Sequence, residues 1–94
     1  MKESAIVRKI VKAVEREFPS AWVRKLSDRY TRGLPDLLIV YPMGNVLFVE
    51  VKRPGGKESK IQEHERNNVL SLGCNWIVVT DPEDVLEWIR ETLS

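Results

Sequence analysis

The order of elements written into this chain is helix, three strands, helix, strand, helix. It predicts an α/β fold with a mixed four-stranded sheet flanked by helices. Three observations carry that expectation. Apolar residues recur at helical spacing near the start and end of the chain. Two strand-length apolar runs in the middle, Leu37–Tyr41 and Val46–Val49, are joined by Pro42-Met43-Gly44. A strong helix start follows them, so the last strand returns through a helical crossover, which permits parallel pairing, while the earlier strands are close enough to pair antiparallel.

The first helix is expected from about Glu3 to Phe18. Ile6, Val7, Ile10, Val11, Val14 and Phe18 form one stripe, Lys9, Lys12, Glu15 and Arg16 lie off it, and Pro19 ends the pattern. A short strand around Ala21–Leu26 precedes a polar loop, Ser27 to Leu34. Asp36–Tyr41 and Val46–Lys52 read as a hairpin, and Arg53-Pro54-Gly55-Gly56 is a loop by composition. Ser59-x-x-Gln62 is a capping box that starts a second helix running to Leu72, with Gly73 suited to the position after its end. Asn75–Thr80 is the fourth strand. Asp81-Pro82-Glu83-Asp84 supplies an N-cap, a first-turn proline and first-turn acids for the last helix, whose apolar face is Val85, Leu86, Ile89 and Leu93.

A chain of 94 residues with 43% hydrophobic content suits one small folded domain, residues 1–94, rather than a disordered segment. No apolar run is long enough to span a bilayer, and no apolar block follows the first basic residues as in a signal peptide. Cys74 is the sole cysteine, so neither an internal disulfide nor a Cys-rich zinc site can form, and a cytoplasmic setting is expected. The net charge of +1 conceals an asymmetry. Residues 1–60 carry thirteen Lys or Arg against seven Asp or Glu, whereas residues 61–94 carry two against seven. A basic first part suits an anionic polymer such as DNA, although a solvated charged surface would look the same.

The chemistry concentrates in Pro35-Asp36 and Glu50-Val51-Lys52. Carboxylates and an ammonium embedded in strand sequence are costly to bury unless something binds them. Strand alternation puts Glu50 and Lys52 on one face and Leu47, Val49 and Val51 on the other. Whether Asp36 joins Glu50 depends on the turn. With Pro42 second in a type I turn and Gly44 left-handed, the loop has three residues and Tyr41 pairs with Asn45. Asp36 then lies opposite Glu50, whereas a two-residue loop would put the acids on opposite faces. Opposed carboxylates repel, and a hard divalent cation such as Mg²⁺, held by Asp36 and Glu50, removes that penalty. Lys52, one step along the same face, could orient or deprotonate a water or stabilise a pentavalent phosphate. The residues therefore point to a metal-dependent phosphodiesterase. The bland reading is a solvent-facing Glu–Lys pair.

These residues resemble the PD-(D/E)xK nuclease superfamily, with its restriction-endonuclease-like αβββαβ core. More narrowly, Gly33-Leu34-Pro35-Asp36, Phe48-Val49-Glu50-Val51-Lys52 and Pro54-Gly55-Gly56-Lys57 followed by Ser59-x-x-Gln62 are similar to the motifs of the VRR-NUC family of virus-type replication and repair nucleases. Glu3 matches a glutamate often found at the start of its first helix. The resemblance spans nearly the whole chain. It implies hydrolysis of DNA with Mg²⁺ or Mn²⁺: Asp36, Glu50 and the Val51 carbonyl oxygen as ligands, Lys52 as the catalytic lysine, Gln62 as a site residue, and Glu3 as an outer metal or water contact. Stand-alone members, typical of phages and bacteria, resemble Holliday-junction resolvases, so branched DNA and a homodimer are implied partners.

Gln62 and Glu3 also have purely local explanations, the capping box and the helix dipole. Arg24, Lys25, Arg29, Arg32, Arg53, Lys57 and Lys60 surround the motif in sequence and are candidate phosphate contacts. Tyr30 could stack on a base or pack locally. Trp22, Trp76 and Trp88 are expected in the core, His64 on the surface, and Cys74 in a buried position. The alternative function is a non-catalytic nucleic-acid-binding module with a vestigial metal site. A small interaction domain is a third.

Overall fold

A computed structural model describes residues 1–94. The elements are α1 (Glu3–Glu17), β1 (Trp22–Lys25), β2 (Leu37–Tyr41), β3 (Asn45–Val51), α2 (Lys60–Ser71), β4 (Asn75–Val79) and α3 (Pro82–Leu93). The strands lie side by side in chain order, β1-β2-β3-β4. The first two pairings are antiparallel and β3–β4 is parallel, as the α2 crossover requires. This is the mixed α/β sheet that the sequence predicts.

One face of the sheet holds the core. Leu37, Ile39, Leu47, Val49 and Val51 are fully buried there against Ile10 and Val14 of α1 and Val85 and Ile89 of α3. Arg90 of α3 pairs with Glu17 at the end of α1 and with Glu83, which ties the two helices at the surface. By contrast, α2 lies against β4 and buries none of its residues. Its start is defined by chemistry rather than by packing: Ser59 Oγ accepts the Gln62 N–H while Gln62 Oε1 accepts the Ser59 N–H, each at 3.2 Å. Gly73, at φ +90°, follows its end. The last helix starts as expected too, with the Asp81 carboxylate accepting the Glu83 N–H at 2.8 Å and Pro82 in the first turn.

Three expectations need correction. The hairpin has the expected register, with Tyr41 opposite Asn45, but not through a type I turn. Met43 takes φ +72° and Gly44 φ +71°, and a positive φ at the residue after the proline is a feature of type II, not type I. The Asn45 side chain steadies the loop by donating to the Pro42 carbonyl at 2.8 Å. Trp22 is not a core residue. It lies on the edge strand in one row with Val40 and Val46, on the face that α1 and α3 do not cover. It is 45% exposed, sheltered only by the Arg24 guanidinium 4.3 Å from its ring centre. Cys74 is half-buried rather than fully enclosed, and His64 is exposed as expected.

Candidate active site

The hairpin register carries Asp36 to Glu50. Asp36 lies just before β2, and its backbone N–H donates to the Val49 carbonyl at 2.9 Å. Its carboxylate then accepts the Val51 N–H at 2.7 Å. The residue thus brackets Glu50 with one bond on each side. Its own carbonyl is fixed by the Leu26 N–H at 2.9 Å, so β1 and β3 both position it. In an extended strand the N–H and C=O of one residue point the same way. The Val51 carbonyl therefore faces Asp36, as a shared ligand position would require. Partial burial raises the Asp36 carboxyl above its usual range. The Val51 N–H and Lys52 oppose that rise, and Glu3 adds to it.

Glu50 is the one charged side chain fully withdrawn from solvent. The alternation of β3 explains this: its neighbours Val49 and Val51 enter the core while Glu50 faces the opposite side, in line with Phe48. There the Trp76 indole N–H donates to Glu50 Oε1 at 3.2 Å. The second oxygen, Oε2, is buried with no hydrogen-bond partner. Lys52 Nζ stands 3.8 Å from it, an ionic contact too long to be a hydrogen bond. Burial, reinforced by the nearby Glu58 carboxylate, pushes the Glu50 carboxyl up to about 7; Lys52 and the Trp76 bond only partly counter it.

Glu58 and Arg66 were not expected at the site from sequence. The Arg66 guanidinium grips both oxygens of Glu58 at 3.0–3.1 Å. That grip is the main reason the Glu58 carboxyl is held below the usual range. The signal available was an acid between the glycine loop and the Ser59 cap, eight residues before an arginine on the following helix. Trp76 was expected in the core and is buried, but its role as donor to Glu50 follows only from the β3–β4 register, which sets Trp76 beside Phe48 on the Glu50 face. Their rings are 6.1 Å apart.

The other expected residues divide by position. Gln62 uses its side-chain oxygen in the cap of α2. Glu3, half-buried at the start of α1, lines a small cavity with Asp36 and Lys25. Arg29 and Arg32 are exposed on the loop that leads into Asp36, Arg53 and Lys57 are exposed between β3 and α2, and Lys60 is exposed at the start of α2. Arg24 is turned elsewhere: it donates to the Val23 carbonyl at 2.8 Å and lies over Trp22.

No three Asp, Glu, His or Cys side chains gather into a ready-made metal cluster. The donors that are present still suit a hard cation. Two carboxylates and a carbonyl offer oxygen ligands only, and the buried Glu50 Oε2 lacks any partner. An ion of the Mg²⁺ kind, which keeps several waters and uses one or two carboxylates, matches such a set.

Known proteins resemble this chain in sequence and in fold. A curated relative, "Putative nuclease p44" of Acyrthosiphon pisum secondary endosymbiont phage 1, is 39% identical over 54 residues, which span 57% of this chain and 57% of that protein. A solved structure described as "VRR_NUC domain" superposes with a TM-score of 0.72 at 32% identity, over 88% of this chain and 92% of that one. The family model of the VRR-NUC domain matches residues 1–80, a stretch that includes every element from α1 to β4 and all of the residues around Asp36 and Glu50, and the chain belongs to the VRR-NUC family of nuclease domains.

Proposed function

We propose that this protein is a divalent-metal-dependent DNA endonuclease that acts on branched or junction DNA as a homodimer. The observation that carries the reading is the buried Glu50 carboxylate. One of its oxygens has no partner, Asp36 is fixed beside it by the Val51 N–H, and Lys52 stands 3.8 Å away. A buried, half-satisfied carboxylate is expensive to maintain, and a cation would relieve that cost. Asp36, Glu50 and the Val51 carbonyl would hold Mg²⁺ or Mn²⁺. When bound, the ion would neutralise charge on the phosphate and acidify water.

The chain's own groups do the rest. Lys52 presents an ammonium to the attacked phosphate or its water. Trp76 and the β3 backbone fix the direction of the Glu50 carboxylate, and the core side of β3 keeps water from its rear. Gln62 is a catalytic-site residue and Glu3 an outer contact in this reading. Arg29, Arg32, Arg53, Lys57 and Lys60 would meet backbone phosphates, which position DNA without reading sequence. Arg24 would join them only by leaving Trp22.

Support for the dimer is the symmetry of the task, since a junction has two strands to cut and each chain has one site. Exposed Ile61, Leu70, Leu72 and Val78 around α2 and β4 add apolar surface that a second copy could cover. No helix is long and apolar enough to cross a membrane. A reducing cytoplasm, that of the host for a phage-encoded chain, suits the single free Cys74.

The test is a cleavage panel on four-way, flap and linear DNA with Mg²⁺ or Mn²⁺. Asp36→Ala, Glu50→Ala and Lys52→Ala should each lose activity by about 10²–10⁴-fold, the scale of a positioned catalytic group. Cleavage retained in all three would refute the mechanism. The alternative is a binding module without catalysis, with a vestigial metal site. Calorimetry separates the two, because a pure binder takes up no Mn²⁺ even with DNA present.

A further inference from the structure

Between β1 and β2 the chain makes an excursion, Leu26 to Pro35, that frames an open concavity of about 940 Å³. Asp36 lines it at one end, and Arg29 and Tyr30 line it elsewhere. That volume falls within the roughly 300–1,000 Å³ typical of sites for one small organic molecule, the scale of a single nucleotide. Tyr30 is 88% exposed, so its ring packs on nothing in the chain. The loop that carries it is nonetheless braced. The Asp28 carboxylate accepts the Tyr30 N–H at 2.9 Å and the Thr31 hydroxyl at 2.7 Å. Further along, Gly33 adopts φ +81° and lies so close to α2 that a Cβ there would come within 2.5 Å of Ile61 Cγ2. The two ends of the excursion meet in the bond from the Leu26 N–H to the Asp36 carbonyl. The ring is thus presented from a fixed frame whose last link is the backbone of Asp36.

We infer that Tyr30 is a stacking platform for one unstacked base, seated in this concavity beside the phosphate that Asp36 and Glu50 address, and that the preferred substrate is DNA with an unpaired or displaced base next to the cut. This rests on the nuclease reading of the site and adds to it the class of substrate. Every base has a π-face, so a tyrosine ring binds it without regard to sequence. Arg29 and Arg32 flank the ring in sequence and suit the phosphates on either side of such a nucleotide. A base inside an intact duplex is stacked on both faces and cannot reach the ring. A bulge, a flap or an open junction offers one that can.

Duplexes of equal length, fully paired or carrying one central bulged 2-aminopurine, test this directly. Binding is read from 2-aminopurine fluorescence with Lys52→Ala protein in Mg²⁺, which keeps the DNA intact. Cleavage is read separately with otherwise unaltered protein. The bulged base should be quenched on binding. Tyr30→Ala should abolish the quenching and reduce the preference for bulged over paired DNA by roughly tenfold, the scale of one base–aromatic stack. Cleavage of paired DNA by Tyr30→Ala should be unchanged, and Tyr30→Phe should behave like the parent. Absence of quenching up to the highest protein concentration, or equal losses on both substrates in Tyr30→Ala, overturns the inference. Failure of the parent protein to cleave any substrate would count against the nuclease reading instead, and the quenching would still decide the role of Tyr30.

Discussion

Replacing Glu50 by glutamine is expected to stabilise the metal-free protein above neutral pH, although it should abolish activity. The carboxyl rises from an ordinary 4.5 to about 7, first through burial and then through Glu58. A raised acid pKa means that the folded state prefers the protonated form. The penalty is absent below about pH 4.5, grows as the pH climbs toward 7, and is complete above it. Each unit is worth about 1.4 kcal/mol. Allowing for solvent relaxation on the Lys52 side, the ionised carboxylate costs the fold about 2–3 kcal/mol at pH 8. Glutamine keeps an oxygen for the Trp76 N–H and places a neutral amide where Oε2 has no partner. Urea unfolding at pH 5 and pH 8 in EDTA is the assay. The stability of Glu50→Gln relative to the parent should rise by about 1.5–2 kcal/mol between those pH values, since about a quarter of the penalty is already present at pH 5. In a domain of this size that corresponds to roughly 10 °C in Tm. A difference that does not change with pH, or that shifts against the variant at pH 8, would show that Glu50 is not held as a strained acid.

Three further outcomes follow from the same geometry. Mn²⁺ binding at pH 6.5 should release a proton, because a ligand carboxylate must ionise; titration calorimetry in two buffers of different ionisation enthalpy reads it, and an enthalpy independent of buffer would contradict it. Arg66→Ala frees Glu58 from its guanidinium and leaves Lys52 as its nearest cation, so cleavage should slow by about tenfold and recover in Arg66→Ala/Glu58→Gln. A double variant as slow as the single one would reduce Arg66 to a structural role. Gly33→Ala should cost about 1–3 kcal/mol in thermal or urea unfolding, since the added Cβ meets Ile61 at a left-handed backbone position. An unchanged midpoint would mean that the loop and α2 move apart freely.

Much of the fold was legible because its punctuation is local. Ser59 with Gln62, and Asp81 with Pro82, specify helix starts through bonds made within a few residues, and the structure contains them. The Tyr41–Asn45 register was legible for the same reason, even though the turn reached it by putting Met43, rather than Gly44 alone, into the left-handed region. Long-range placement was harder. The environment of Glu50 depends on Trp76, which arrives through a parallel crossover, and on Glu58 and Arg66, which meet across a helix start. No short-range pattern encodes the arrival of Trp76, and the eight-residue spacing of Glu58 and Arg66 does not by itself say that the pair sits beside Glu50. Trp22 departs from the burial its type suggests because it lies on the sheet face that α1 and α3 leave uncovered, whereas its strand neighbour Val23, on the other face, is buried.

The placement of the site follows from where the sheet stops pairing. The β2–β3 ladder ends at Leu37 opposite Val49, so Val51 would be left without a partner on that side. The Asp36 side chain takes the place of the missing strand by accepting its N–H. A carboxylate doing that work cannot drift. On β4's side, Val51 and Lys52 remain tied, Val51 beside Val79 and the Lys52 N–H to the Val79 carbonyl at 2.9 Å. The two acids are therefore held by backbone that the core itself immobilises, since Leu37, Val49 and Val51 are fully buried one residue away from each. Softening that core, for example by Val49→Ala, should blur the site before it unfolds the protein. Rigid strands, rather than the loops, set the spacing of the acids; under the stacking role inferred for Tyr30, its loop selects the DNA that reaches them.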